Sequence, residues 1–241
     1  MIFKYRRLPA AFTVVELLIT ITLMAVLAYL CLAVSIKVAA QGKLAKSTRH
    51  LEMIGTALNL YLTDRNGRLP EAAGFASSPG LPGVRLYWFD ALAYYLEGPD
   101  YLAQRRDRQA PRPEWQTCPA RPLLPPKKDP ARGQGISVGY GWNHKYFGYT
   151  PTNTEGTSGY GSRITEVPYP ASTIIIGTNA EKQKNGVPMS ADAAANANLY
   201  HANLSERFDG AGLYLFLDGH IQRMTPAQVQ VNGDYLLKKK K

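Results

Sequence analysis

The chain has 241 residues and a formal net charge of +10, but the charge gathers at its ends: Lys4, Arg6 and Arg7 supply three and Lys238–Lys241 four, leaving only +3 between them. Such a balanced body argues against a basic nucleic-acid surface spread over the whole chain, and the terminal lysine run reads as a solvated tail. With two cysteines, Cys31 inside an apolar run and Cys118 far outside it, a disulfide framework is excluded and any globular part must be held by its core.

From Phe12 to Ile36 the only charge is Glu16, and there is no proline or glycine. As a helix rising 1.5 Å per residue this run spans about 37 Å, enough to cross a bilayer. A carboxylate in such a segment costs roughly 2.5 to 3.5 kcal/mol at the bilayer centre and less near the end, so a partner for Glu16 is expected. Other N-terminal signals fit less well. A secretory signal has an apolar core of about 7 to 15 residues, although Val38-Ala39-Ala40 leaves a signal-peptidase site open. For a lipoprotein signal, Cys31 follows Tyr29-Leu30 rather than small residues. Basic residues flank the span on both sides, with Lys37, Lys43, Lys46 and Arg49 after it, so charge alone does not orient it.

The stretch Ala11-Phe12-Thr13-Val14-Val15-Glu16-Leu17-Leu18-Ile19-Thr20, behind its short basic leader, resembles the N-terminus of type IV pilins and type II secretion pseudopilins. The resemblance implies cleavage between Ala11 and Phe12, N-methylation of Phe12, and a role for Glu16 in assembly. Ala11 stands where the family usually has glycine. Once freed, the Phe12 amine would sit four residues before Glu16 on the same helical face, able to meet that carboxylate within one subunit or in a neighbour. The implied partners are other pilin or pseudopilin subunits, a prepilin peptidase and an inner-membrane assembly platform, with nucleic acid not expected. The implied location is the bacterial inner membrane, single-pass, with the head in the periplasm or at the cell surface and the protein assembled into a filament.

Beyond the span, Leu44, Leu51, Ile54, Leu58 and Tyr61 fall on one helical face, with Lys43, Lys46, Arg49 and Glu52 elsewhere. The helix is expected to run to about Asp64, with Gly42 as its flexible point, and to stop where Asn66-Gly67 offers left-handed residues ahead of Pro70. Tyr61-Leu62-Thr63-Asp64-Arg65-Asn66-Gly67-Arg68-Leu69-Pro70 is similar to the Tyr-x-x-Asp-x-x-Gly-x-x-Pro run that ends this helix in secretion pseudopilins.

Eleven of the seventeen prolines lie from Pro70 to Pro130, which predicts a largely irregular insertion. One short helix is expected there, Tyr87 to Leu96, with Trp88, Leu92 and Tyr95 packing it onto the domain. Arg105-Arg106-Asp107-Arg108 reads as an exposed charged stretch. Strands are expected over 136–143 and 172–177, and a hairpin over 212–224 that turns at Asp218-Gly219. Cys118-Pro119, Tyr140-Gly141-Trp142-Asn143 and the Leu-x-Asp-Gly-His form around Asp218 resemble elements of large pseudopilin-like proteins of some bacteria.

The expected fold is therefore α+β and pilin-like: a long N-terminal helix, half membrane and half amphipathic, packed on a small antiparallel sheet. The expected boundaries are a leader at 1–11, a membrane or filament-core helix at 12–36, its amphipathic continuation at 37–66 and a head at 67–241. Within the head lie the Pro-rich insertion at 70–134, the sheet region at 135–224 and a tail at 225–241.

No catalytic motif is legible: there is no phosphate loop, no paired-Cys or His-x-x-x-His spacing and no nucleophile elbow, so an enzyme is not expected. His50, His144, His201 and His220 are scattered, and His220 reads as a hairpin-edge residue. No cofactor is expected, with calcium as the alternative, because the resemblance includes major pseudopilins that bind one ion in a C-terminal loop. Asp192, Asn198 and Asp209, with Asn196, Asn203 and Glu206 between them, are hard oxygen ligands that match no calcium-loop spacing. Tyr140, Trp142, Tyr146, Phe147, Tyr149 and Tyr160 interleave with glycine and polar residues and read as sheet and loop packing. Their alternative role is to stack on sugars or single-stranded nucleic acid, which would make the chain a membrane-anchored surface binding module for carbohydrate or DNA. The leading expectation is a structural subunit of a secretion pseudopilus or a related filament.

Overall fold

The computed structural model describes residues 13–70, 73–74, 86–101, 113–120, 139–143, 163–179 and 204–231. They form an α+β arrangement with a long N-terminal helix, α1 (Val14–Asp64), and a four-stranded antiparallel sheet. The chain divides into two compact units, Met1–Gly42 and Lys43–Lys241, so the boundary falls at the glycine inside α1.

The end of α1 follows from its sequence. Asn66 and Gly67 take positive φ values of 51° and 74°, and the Gly67 amide donates to the Leu62 carbonyl at 2.7 Å. That bond satisfies a carbonyl which the helix itself leaves open, and glycine adopts the left-handed conformation without a Cβ penalty.

In the second unit, strands β3 (Tyr140–Trp142), β4 (Ile174–Thr178), β5 (Gly212–Phe216) and β6 (Ile221–Met224) lie side by side in chain order, each antiparallel to the next. Alternation along β5 builds two cores. Leu213, Leu215 and Leu217 join Leu51, Ile54, Leu58 and Tyr61 of α1 in the main one. Tyr214 and Phe216 join Ile174, Leu204, Met224 and Val229 in a smaller one, Val229 coming from the short helix α3 (Pro226–Val231). Each fully buried Leu or Ile stabilises this arrangement by about 1.5 to 3 kcal/mol.

Two details depart from the expected strands. Ile174 pairs with Phe216 but Ile176 with Leu215, so one extra residue bulges out of β4 between them. The hairpin turn is one residue longer than Asp218-Gly219. Gly219 donates to the Phe216 carbonyl at 3.0 Å and holds φ at 95°, while the Phe216 amide donates to His220 at 2.9 Å. This is a three-residue loop closed by a left-handed glycine.

Within 70–134, Trp88, Phe89, Leu92, Tyr101, Trp115 and Cys118 belong to the main core. Strands β1 (Ala73–Gly74) and β2 (Leu86–Tyr87) pair and lead into helix α2 (Trp88–Glu97). Trp88, Phe89 and Leu92 are buried, Tyr95 is half-buried, and Trp88 stacks on Trp142 of β3 with ring centroids 5.8 Å apart. Tyr95 packs edge-on against Tyr61, and its hydroxyl donates to Asp64 at 2.8 Å. Burial and that carboxylate push the Tyr95 phenol up to about 12. The charged stretch at Arg105–Arg108 and the Lys238–Lys241 tail lie outside the described residues.

Candidate functional site

Every large apolar side chain of α1 from Val14 to Ile36 is more than half exposed. Among the described residues α1 is the one helix long and apolar enough to cross a membrane. An apolar surface of this extent requires lipid or another protein to cover it. The few polar groups on it are satisfied locally. Thr20 donates to the Leu17 carbonyl at 2.8 Å, Thr22 to Ile19 at 2.8 Å and Ser35 to Cys31 at 2.7 Å. Hydroxyls bonded in this way do not need water, which suits a helix in an apolar medium. The Cys31 thiol is exposed on the same rod.

Glu16 has a partner that the sequence reading missed. Its Oε2 accepts from the Thr13 amide at 2.9 Å and from the Thr13 hydroxyl at 2.9 Å, while the Glu16 amide donates to Thr13 Oγ1 at 3.2 Å. This is a reciprocal capping box, and its signal was present as Thr13-x-x-Glu16 before an apolar run. Glu16 therefore closes the first turn of α1 and satisfies two N-terminal donors. Ala11 and Phe12, the expected processing residues, lie outside the described residues.

The outer half of α1 carries a second polar constellation. Lys46, Ser47 and His50 occupy a single turn and meet a short 3₁₀ turn at Glu114–Gln116 and the residues just after it. Lys46 pairs with Glu114, Ser47 lies 3.7 Å from the Cys118 thiol, and the buried His50 donates from Nδ1 to the Thr117 carbonyl at 3.2 Å. Lys46 holds the Glu114 carboxyl below its usual range. Burial holds His50 below the usual imidazole range, outweighing the Thr117 carbonyl and Glu114, which raise it. The Tyr140 hydroxyl, pushed upward by burial, donates to the Ser47 carbonyl at 3.5 Å. These contacts strap the irregular chain around Cys118 to the helix. They assemble no nucleophile beside a general base in an open cleft.

The remaining candidates are placed as follows. Tyr140 and Trp142 are fully buried and pack in the core, so neither offers a face to a ligand. Tyr146, Phe147, Tyr149 and Tyr160 lie outside the described residues, as do His144 and His201. So do Asp192 and Asn198. Asp209 is exposed in a left-handed turn with φ 54°, and Arg223 reaches both its backbone carbonyl at 3.2 Å and its carboxylate at 3.4 Å. Among the described residues no three His, Cys, Asp or Glu side chains gather to hold a metal. His220 stacks on Phe216 at 4.1 Å and its Nδ1 lies 2.6 Å from Asp218, which places it at the hairpin edge. Compared with known proteins, the chain matches no family model, no curated protein and no solved structure.

Proposed function

We propose that the chain is a structural subunit of a type II secretion pseudopilus or a related type IV pilus-like filament, anchored and assembled through α1. The observation that carries this reading is the division of one helix into two chemistries. Residues 14–36 present apolar side chains on all sides with a single acid near the start, while Leu51, Ile54, Leu58 and Tyr61 are buried against a sheet. A soluble enzyme gains nothing from a bare apolar rod of this length, whereas a subunit that moves from bilayer to filament needs both halves. Supporting it are the prepilin-type residues around Ala11 and Phe12 and the left-handed stop at Asn66-Gly67.

In this reading prepilin peptidase cuts between Ala11 and Phe12, and the new amine appears one residue before the Thr13 amide that Glu16 accepts. The carboxylate then has a cationic partner in its own chain or in a neighbouring subunit. Other pilin-like subunits and the inner-membrane assembly platform are the partners, and the head lies in the periplasm or at the cell surface. The reading assigns no catalysis and no cofactor. Glu16→Ala is expected to leave membrane insertion intact and to abolish incorporation, measured by fractionating sheared filaments from membranes. Wild-type incorporation of that variant would remove Glu16 from assembly. Among the described residues, burial of Tyr140 and Trp142 leaves the carbohydrate- or DNA-binding alternative without an observation in its favour.

A further inference from the structure

Just beyond the C-terminal end of α1, Arg68 and Arg163 pair across an isolated antiparallel bridge. The flanking bond runs from the Ile164 amide to the Gly67 carbonyl at 2.8 Å. Arg68 and Arg163 are therefore the non-hydrogen-bonded pair of that bridge, the kind whose Cα atoms stand only about 4.5 Å apart and whose side chains lie closest. Like charges placed directly opposite in such a pair destabilise it. Both residues are exposed, and neither guanidinium has a partner among the described residues.

Among the described residues, the acids next in sequence to the two arginines each hold another group. Glu166 accepts from the Arg163 backbone amide at 3.3 Å, and Asp64 takes the Tyr95 hydroxyl at 2.8 Å and Arg65 at 3.6 Å. The backbone holding the two arginines is also restrained. Gly67 sits at φ 74° with room for a Cβ only 3.3 Å from Ile164, and the 3₁₀ turn Ile164–Glu166 begins immediately after Arg163. Residues directly opposite in such a pair leave the same face of the bridge, so two exposed arginine side chains, unpaired among the described residues, start side by side.

We propose that Arg68 and Arg163 form a binding site for a tetrahedral oxyanion of the phosphate class. One fork saturates the two oxygens of a carboxylate, whereas a phosphoryl group offers three oxygens and close to two negative charges, enough for both forks. The bound anion would also offset the repulsion built into the bridge. This site rests on the head alone and is independent of the filament reading.

The test uses the full chain in detergent micelles at constant ionic strength, titrated with inorganic phosphate and separately with phosphoserine, against chloride as the control. Saturable one-to-one binding is expected, weakened at least tenfold in Arg68→Gln and in Arg163→Gln. Tighter binding of inorganic phosphate identifies a free anion as the ligand, and tighter binding of phosphoserine identifies a phosphoryl group carried on a larger molecule. Arg163→Glu supplies a readout that a purely structural role would not give. It is expected to raise the melting temperature, because like charges become opposite, while removing phosphate binding. Absence of saturable binding, or binding unchanged in both glutamine variants, overturns the site.

Discussion

Glu16 answers two needs with one carboxylate: it caps the helix through Thr13 and it carries the only charge of the apolar rod. The two roles are separable by chemistry. Glutamine completes a capping box as well as glutamate does, but it has no charge. If assembly depends on pairing with an amine, Glu16→Gln should fail in filament incorporation as fully as Glu16→Ala. Rescue by glutamine would show that the cap, not the charge, is what matters. His50 gives the second prediction at this scale. Its folded-state affinity for a proton is lowered by burial, so below about pH 6.5 the unfolded chain takes up the proton first. The contribution of His50 to stability should be flat above that pH and be lost as the pH drops through the lowered folded value. Thermal unfolding in micelles at pH 7.5 and 5.5 checks this, and His50→Gln, which keeps a donor for the Thr117 carbonyl, should remove His50's contribution to the pH dependence.

Among the elements, α1 and β5 were the most legible because their patterns are local. The i, i+3, i+7 spacing of Leu51, Ile54 and Leu58 and the alternation of Leu213, Leu215 and Leu217 are written in short stretches of sequence, and Asn66-Gly67 announces its own geometry. The β4 bulge was not legible, since Ile174-Ile175-Ile176 reads the same with or without an extra residue. Nor was the core role of Trp115 and Cys118, because the surrounding prolines signal irregular backbone and say nothing about burial. Glycines show the same limit, as their contacts are made with distant residues. A Cβ on Gly55 would stand 3.4 and 3.7 Å from the Leu215 methyls, an ordinary contact. A Cβ on Gly212 would stand 2.7 Å from the Tyr214 hydroxyl, 2.9 Å from Thr178 Oγ1 and 3.0 Å from the Ser205 carbonyl. Gly55→Ala should therefore stabilise the head by up to about 1 kcal/mol through helix propensity. Gly212→Ala should destabilise it by roughly 1 to 3 kcal/mol through overpacking. Denaturant titration of the two variants side by side checks the opposite signs.

At the scale of the whole molecule, the proposal turns on a helix that leaves one half bare and buries the other in a sheet domain. A bare half of this kind is tolerated only where lipid or like helices surround it. Hydropathy made the bare half visible from the sequence, but its fate depends on how the N-terminus is processed. The most direct test is mass spectrometry of the N-terminus of the protein isolated from its native membrane or filament. The account predicts a chain beginning at Phe12 with a methylated amine. A chain that begins at Met1, or at Gln41 after loss of the entire apolar segment, would contradict it.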